Sequence, residues 1–222
     1  LDCVGEKGTI SIIYHGGEPL LRGLDFFKSA TALIEARGGR KRVDVSVQTN
    51  GTLITDDFAD FLVRNKIPCG ISLDGPRDIH DANRRSCKAG RGTFEKTMEG
   101  IKKLQSRGRK ASAIAVLTKA SLRKILDMYN FFNEQEIDFK VNPVDLIGRS
   151  QAEKEMLEIT PAEFGRALVE LFDLWFDDKN TRITIGNLYD AMRSLASGEY
   201  SECIFSKRAC GTHYLGDRKS VV

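Results

Sequence analysis

The sequence predicts an α/β fold built on a parallel sheet, and the regular alternation of its segments is the main reason. Five short β-branched segments recur, and longer amphipathic segments separate them: 9–14, 43–48, 67–72, 111–117 and 139–144. No hairpin signal joins two neighbouring strand segments. Strands that alternate with helices indicate parallel βαβ units. This pattern alone leaves both a doubly wound sheet and a (β/α) barrel open.

The segments between the predicted strands carry apolar residues at helical spacing. They lie at 24–36, 56–66, 94–105 and 122–135. Thr55 and Thr93 stand at the starts of two of them, where a hydroxyl can cap the first helical turn. In the last segment, the predicted buried face consists of Leu122, Ile125, Leu126, Tyr129 and Phe132.

The rhythm of strands and helices changes after residue 150. Two further helical segments follow, at 160–178 and 187–198, and then a tail that contains cysteines and glycines. We therefore predict three parts. They are a (β/α) part at 1–150, a helical continuation at 151–200 and the start of a different region at 201–222.

Composition excludes several classes of function. The net charge of +3 on 222 residues is too small an excess to indicate a nucleic-acid partner. No segment approaches the ~18 apolar residues of a membrane span, so we expect no membrane partner. Five cysteines, an odd number without an export signal, argue against a disulfide framework and predict a cytoplasmic location. Because the chain begins without methionine, we expect it to be a piece of a longer polypeptide.

Polar, glycine-containing loops follow four of the predicted strands. Their sequences are 15-HGGEP-19, 48-QTNGT-52, 72-SLDGP-76 and 142-NPVDLIG-148. In parallel α/β folds, ligands bind at the carboxyl ends of the strands, where such loops meet. A carboxylate such as Glu18 can hold an ammonium group, and Arg84 can bind a carboxylate in a bidentate manner. A ligand that has both an ammonium and a carboxylate is zwitterionic, and the loops predict such a ligand. Ser72 and Gln48 can add hydrogen bonds, as to a ribose.

The order and spacing of these motifs resemble the radical SAM enzymes that carry a C-terminal SPASM extension, and they are most similar to the anaerobic sulfatase-maturating enzymes. The matching segments are HGGEPLL, QTNGTLI, GISLDGP, IHDANR and GRGTF. The resemblance implies a partial (β/α)6 radical SAM barrel that lacks its first strand, followed by helices and the start of a SPASM auxiliary-cluster region. It implies S-adenosyl-L-methionine (SAM) and [4Fe–4S] clusters as cofactors.

The resemblance also implies roles for single residues in cofactor binding. The residues that match SAM contacts are His15, Gly16, Gly17, Glu18, Ser72, Arg84 and Leu146. Among them, Glu18 belongs to the motif that receives the SAM amino group, Arg84 matches an arginine that faces the SAM carboxylate, and Leu146 matches a contact on the adenine side. We expect His80 to fix the loop before Arg84.

Further matches concern the substrate and the metal. Gln48 and Asn50 match the loop nearest the peptide substrate, and Cys203 and Cys210 match the first two ligands of an auxiliary [4Fe–4S] cluster. Cys69, in a predicted strand, is expected to pack as a small hydrophobic residue.

The sequence also departs from the family pattern. No C-x3-C-x2-C motif, which ligates the catalytic cluster in the family, occurs in the chain, and the chain stops before the acid proposed to accept a proton. We therefore assign no catalytic residue to this chain, and we expect the chain alone to be inactive.

For the whole protein, the resemblance implies oxidation of a Cys or Ser of an unfolded sulfatase to Cα-formylglycine through a 5′-deoxyadenosyl radical. The implied partners are that peptide and an electron donor such as flavodoxin or ferredoxin. The motifs do not separate this activity from another SPASM-type maturase that makes thioether or carbon–carbon crosslinks, or from a non-catalytic truncated fragment that binds SAM. A cluster-free hydrolase that uses Glu18 and Asp74 as paired carboxylates is a further alternative.

Overall fold

The computed structural model describes residues 9–37, 43–86, 90–146 and 148–198. The strands are β1 (Ile10–Tyr14), β2 (Val43–Thr49), β3 (Cys69–Ser72), β4 (Ser112–Leu117) and β5 (Asp138–Pro143). The α-helices are α1 (Leu24–Ala36), α2 (Asp56–Arg64), α3 (Arg77–Asn83), α4 (Phe94–Gln105), α5 (Ile125–Glu134), α6 (Lys154–Leu157), α7 (Pro161–Asp177) and α8 (Gly186–Ser197). Short 3₁₀ helices lie at Pro19–Arg22, Ser121–Lys124 and Gly148–Glu153.

The strands form one parallel sheet in the order β1-β2-β3-β4-β5. Ile10 pairs with Val43, Val47 pairs with Cys69, and Gly70 pairs with Ser112. A doubly wound sheet reverses its strand order at a switch point, and this sheet does not. The sheet is therefore singly wound, and the predicted α/β class is confirmed. The five predicted strands are confirmed to within two residues at each end.

The chain divides into two compact units, Leu1–Ile114 and Ala115–Val222. The boundary falls inside β4. The boundaries predicted near residues 150 and 200 stay predictions.

In the first unit, side chains alternate between two different faces of the sheet. Val47 and Ile71 lie on one face, and their side chains are 1% and 0% exposed. On that face, the ring of Tyr14 lies 5.1 Å from Phe27 of α1, and Phe27 lies 5.6 Å from Phe58 of α2. We call this the helix-covered face. Its aromatic and aliphatic packing supplies the hydrophobic stabilisation of the unit.

The opposite face of β1–β4 carries mostly small and polar side chains, with two isoleucines among them, and we call it the open face. Its residues are Ser11, Ile13, Asp44, Ser46, Gln48, Gly70, Ser72, Ser112 and Ile114. All of them are exposed or half-buried. The interior of a closed, filled barrel carries layers of bulky branched residues instead. The open face of the described residues does not have the composition of such a core.

The second unit packs helices on β5 in the same way. The rings of Phe132 and Phe139 stack at 4.2 Å, and both side chains are buried. Asn187, in α8, accepts a hydrogen bond from the N–H of Val141 and donates one to its carbonyl. A parallel bridge also joins Phe139 to Ile185.

Two details of the helix predictions are confirmed and two are wrong. The Thr55 hydroxyl accepts from the N–H of Phe58, as a cap of α2, and α4 spans the predicted residues. Thr93 makes no side-chain hydrogen bond to the start of α4, because its hydroxyl bonds Arg84 and His80 instead. The spacing predicts Leu126 on the buried face of α5, but Leu126 is 50% exposed. Met128, which is fully buried, lies on that face instead.

Within the ranges that the structure describes, no helix combines the length and the apolar character needed to cross a membrane.

The two faces of the sheet predict different responses to the same substitution. Ile71→Ala leaves a cavity on the helix-covered face and should lower the free energy of unfolding by about 2–5 kcal/mol. Ile13→Ala, on the open face, is the matched control and should change it by less than about 1 kcal/mol. Chemical denaturation measures both, and equal losses would contradict the assignment of the faces.

Candidate functional site

The loop after β1 places a carboxylate at the carboxyl edge of the sheet. Gly16 and Gly17 have φ of 89° and 51°, a left-handed backbone that glycine adopts without strain. The chain then enters the 3₁₀ helix Pro19–Arg22, and Glu18 caps it by accepting the N–H of Leu20 at 3.0 Å. The two glycines and the proline therefore fix the position of the Glu18 carboxylate.

The Glu18 carboxylate also binds the loop after β2. Its Oε1 accepts the hydroxyl of Thr49 at 2.6 Å, and its Oε2 accepts the N–H of Asn50 at 2.8 Å. Thr49 is 2% exposed. Since hydrogen bonds to a charged acceptor are stronger than neutral ones, Glu18 holds two of the predicted loops together.

The loop after β2 is held by hydrogen bonds within its own turn and by one from α4. The side-chain oxygen of Asn50 accepts both the N–H and the hydroxyl of Thr52. Its backbone carbonyl accepts the hydroxyl of Thr97, a buried residue of α4. Gly51 follows with φ of 78°, and a Cβ there would meet Ile71 at 3.0 Å. The side-chain oxygen of Asn50 is therefore committed to its own turn.

Gln48 and Ser72 meet on the open face. The side-chain amide Nε2 of Gln48 donates to the Ser72 hydroxyl at 3.3 Å. Both side chains are half-buried at the carboxyl ends of β2 and β3. A residue predicted to lie near the substrate thus contacts a residue predicted to bind the cofactor.

An ion pair organises the loop after β3. Asp74 is 1% exposed and accepts two hydrogen bonds from Arg84, from Nε at 2.8 Å and from Nη2 at 2.9 Å. This bidentate geometry satisfies the buried carboxylate and aligns the guanidinium. The Arg84 side chain is 27% exposed. In the structure, Arg84 therefore faces Asp74 with one edge of its guanidinium.

The side chain of His80 holds this loop through hydrogen bonds, as the sequence predicts. It is fully buried, and its Nδ1 accepts the N–H of Asp74 at 3.4 Å. Its Nε2 lies 3.0 Å from the hydroxyl of Thr93, which in turn donates to the carbonyl of Arg84. Burial lowers the pKa of His80 to about 4. The ring is therefore neutral at pH 7, with its proton on Nε2.

The remaining predicted residues have different surroundings. The exposed ring of His15 accepts the N–H of Gly16 through Nδ1 at 2.5 Å. Leu146 is half-buried after β5, in the second unit. Cys203 and Cys210 lie outside the described residues. Their assignment as cluster ligands, like the other site assignments, stays a prediction.

Cys69 lies in β3 and is a free thiol. Burial, helped by the nearby Glu18 carboxylate, raises the pKa of the Cys69 thiol to about 12. The thiol is therefore neutral and unreactive at pH 7, which agrees with the predicted packing role.

The arrangement argues against the cluster-free hydrolase alternative. That alternative requires Glu18 and Asp74 to exchange protons with a substrate. Glu18 accepts three hydrogen bonds from the protein, and Asp74 is buried in its pair with Arg84. Because Asp74 is buried and paired, the two residues do not form a pair of accessible carboxylates.

The fold defines a class: an α/β protein with polar loops at the carboxyl edge of a singly wound parallel sheet. The model of the radical SAM superfamily matches residues 2–132. Since this range exceeds half of the chain, the chain belongs to the radical SAM superfamily.

Relatives extend the likeness over most of the chain. A cysteine-type anaerobic sulfatase-maturating enzyme of Clostridium perfringens is 31% identical over 202 residues, which are 88% of this chain and 54% of that protein. A serine-type anaerobic sulfatase-maturating enzyme of Bacteroides thetaiotaomicron is 30% identical over 213 residues, which are 89% of this chain and 51% of that protein. The chain thus spans about half the length of these curated relatives.

A solved structure shows the same fold. Native anSMEcpe with bound AdoMet and Cp18Cys peptide superposes with a TM-score of 0.79 and 30% identity, over 89% of this chain and 56% of that chain. The predicted resemblance to sulfatase-maturating enzymes and the predicted radical SAM fold are confirmed.

The neutral state of His80 predicts a pH dependence of stability. The unfolded state binds a proton near pH 6.5 and the folded state only near pH 4, so stability is complete above pH 6.5 and falls as the pH falls towards 4. This gap corresponds to roughly 3 kcal/mol at most. His80→Gln cannot titrate, so its loss of stability between pH 7 and pH 4 should be smaller.

Denaturant midpoints of both proteins at pH 7, 5.5 and 4 measure this difference. Because other carboxylates titrate equally in the two proteins, only the difference between their slopes reports on His80. Parallel slopes would contradict a buried, neutral His80.

Proposed function

We propose that the edge formed by the loops after β1, β2 and β3 binds SAM, and that the whole protein is a radical SAM enzyme that oxidises a Cys or Ser of a sulfatase peptide to Cα-formylglycine. The observation that carries the proposal is the Glu18 carboxylate, fixed between two loops on the glycine-containing segment of the superfamily.

The residues of the site fit the chemistry of SAM. The methionine part of SAM has an ammonium, a carboxylate and a sulfonium, and its nucleoside part has hydroxyls. Next to Glu18, a Cβ on Gly16 would meet no atom within 4 Å, so the loop faces open space there. Glu18 supplies a negative charge for the ammonium, and Arg84 supplies N–H donors for the carboxylate.

The half-buried hydroxyl of Ser72 adds a polar contact on the open face. Gly16 and Gly17 are both exposed, so a ligand can reach the backbone of this segment, where the N–H of Gly16 already donates to His15. These groups are the hydrogen-bonding partners that a zwitterionic nucleoside needs.

Iron is a separate part of the proposal. The ranges that the structure describes contain no group of three or more His, Cys, Asp or Glu side chains that could hold a metal ion. Cys203 and Cys210 remain the proposed ligands of an auxiliary cluster. Bound together, a [4Fe–4S] cluster and SAM supply hydrogen-atom abstraction, and the residues of this chain bind and orient SAM for it.

The peptide substrate is inferred from the relatives. One structure neighbour contains the Cp18Cys peptide, and the open face offers Gln48, Ser46 and Ser112 as hydrogen-bonding groups for a polar chain. Relatives of the cysteine type and of the serine type match this chain about equally. The proposal therefore covers both substrates and one product, formylglycine.

The electron donor and the compartment follow from the same proposal. A reducing donor such as flavodoxin or ferredoxin is a cytoplasmic protein. The free thiol of Cys69 agrees with a reducing compartment.

Exchange of Glu18 for glutamine tests the cofactor part. Glu18→Gln removes the charge that faces the ammonium and should weaken SAM binding by roughly tenfold or more, because hydrogen bonds to charged groups contribute about 1.5–3 kcal/mol. Glu99→Gln, an equal charge change on an exposed position of α4, should leave the affinity unchanged. Titration calorimetry on the whole protein measures both affinities, and equal values for the two variants would place SAM elsewhere.

The enzyme part is tested on the whole protein after anaerobic reconstitution with iron and sulfide. We expect dithionite to start SAM cleavage, and a sulfatase peptide with Cys or Ser to yield an aldehyde that mass spectrometry detects. A protein that takes up no iron would contradict the enzyme assignment. SAM cleavage with a crosslinked peptide product would favour another type of peptide maturase.

A further inference from the structure

Gly70 is a glycine whose backbone does not require glycine. It lies in the middle of β3, and its φ is outside the left-handed region that glycine favours. A glycine inside a strand weakens the strand, and it often marks a place where another group approaches closely. The structure shows which group this is.

The side chain of Gln48 lies directly over Gly70. The two residues are paired across β2 and β3. A Cβ on Gly70 would overlap the side-chain oxygen of Gln48 and would lie 3.2 Å from its Cδ. The space above Gly70 is therefore occupied by the Gln48 amide, and any side chain at position 70 would displace it.

The Gln48 side chain extends over Gly70, and its amide reaches Ser72. Residues 70 and 72 share a face because side chains alternate along a strand. Crossing over Gly70, the Gln48 amide donates to the Ser72 hydroxyl at 3.3 Å. Since the Ser72 oxygen accepts this bond, its own hydrogen stays available to donate to an oxygen of a ligand on the open face.

We propose that Gln48 is a positioning residue that orients the Ser72 hydroxyl as a donor towards SAM, and that Gly70 is the residue that makes this orientation possible. This inference rests on the proposed function, because Ser72 contacts SAM only if SAM binds at this edge. It gives Gln48 a role on the cofactor side, acting through Ser72.

Gly70→Ala is a clean test of the proposal. The atom that meets the added methyl group is the far end of a flexible side chain, so Gln48 can move while the backbone of β3 stays in place. We expect SAM affinity of the whole protein, in its iron-loaded form, to fall about three- to tenfold, the range of one lost hydrogen bond. Equilibrium dialysis with labelled SAM measures the affinity without turnover.

A double-mutant cycle separates positioning from a general structural defect. Gln48→Ala should weaken SAM binding by a similar factor, and adding Gly70→Ala to Gln48→Ala should weaken it no further. In the same way, Gln48→Ala should have no effect in a Ser72→Ala background. Gly165→Ala is the matched control, because Gly165 is exposed in α7 and has no atom within 4 Å of an added Cβ. It should leave the affinity unchanged.

The outcomes are distinguishable. If the wild-type protein binds SAM and Gly70→Ala binds it equally well, this inference is wrong and the proposed function stands. An equal loss from Gly70→Ala with Gln48 present or absent would also contradict it, because Gly70 would then act without Gln48. A wild-type protein with no measurable affinity for SAM would overturn the proposed function, and this inference with it.

Discussion

The hydrogen bonds of the Glu18 carboxylate are the constraint on which the rest of the site depends. They join the loop after β1 to Thr49 at the end of β2 and to Asn50 in the loop that follows, and they cap the 3₁₀ helix that carries the chain to α1. Without this acceptor, the hydroxyl of Thr49, which is 2% exposed, and the N–H of Asn50 would lack a charged partner. A group with this structural role can still receive an ammonium, since a carboxylate has about four acceptor positions.

The loop after β3 uses a second buried carboxylate for a different purpose. Asp74 orients the guanidinium of Arg84, and the neutral ring of His80 holds the backbone of Asp74 and, through Thr93, the carbonyl of Arg84. A charged His80 would add a cation beside Arg84, and burial prevents this at neutral pH. Both carboxylates thus hold the site in shape before any ligand binds. Preorganised charges of this kind lower the reorganisation needed on binding.

The sheet that supports these loops has one buried face and one open face. Its helix-covered face contains buried residues such as Val47 and Ile71, and its open face contains small and polar ones such as Gly70 and Ser72. The same alternation continues in the second unit, where Phe139 and Val141 are buried and Lys140 between them is half-buried. In β4, likewise, Ala113, Ala115 and Leu117 are buried and the residues between them are half-buried.

Much of the fold could be predicted because its signals are local. The strands, the long helices and the polar loops depend on periodicity and turn chemistry within ten or so residues. Thr93 shows the limit of such signals, because its hydroxyl is drawn from a helix cap to His80, thirteen residues earlier in the chain.

The contacts of Glu18 with Thr49, and of Gln48 with Gly70 and Ser72, could not be predicted, because they depend on the register between strands. An alternation of polar and apolar residues in 43-VDVSVQT-49 was the available signal for the open face.

The most direct measurement is an anaerobic crystal structure of the whole protein with SAM bound. We expect the methionine amino group within hydrogen-bond distance of the segment from Gly16 to Glu18, and the Ser72 hydroxyl in contact with the same molecule. SAM bound away from the carboxyl ends of β1–β3, with Glu18 and Ser72 not in contact with it, would contradict the central claim.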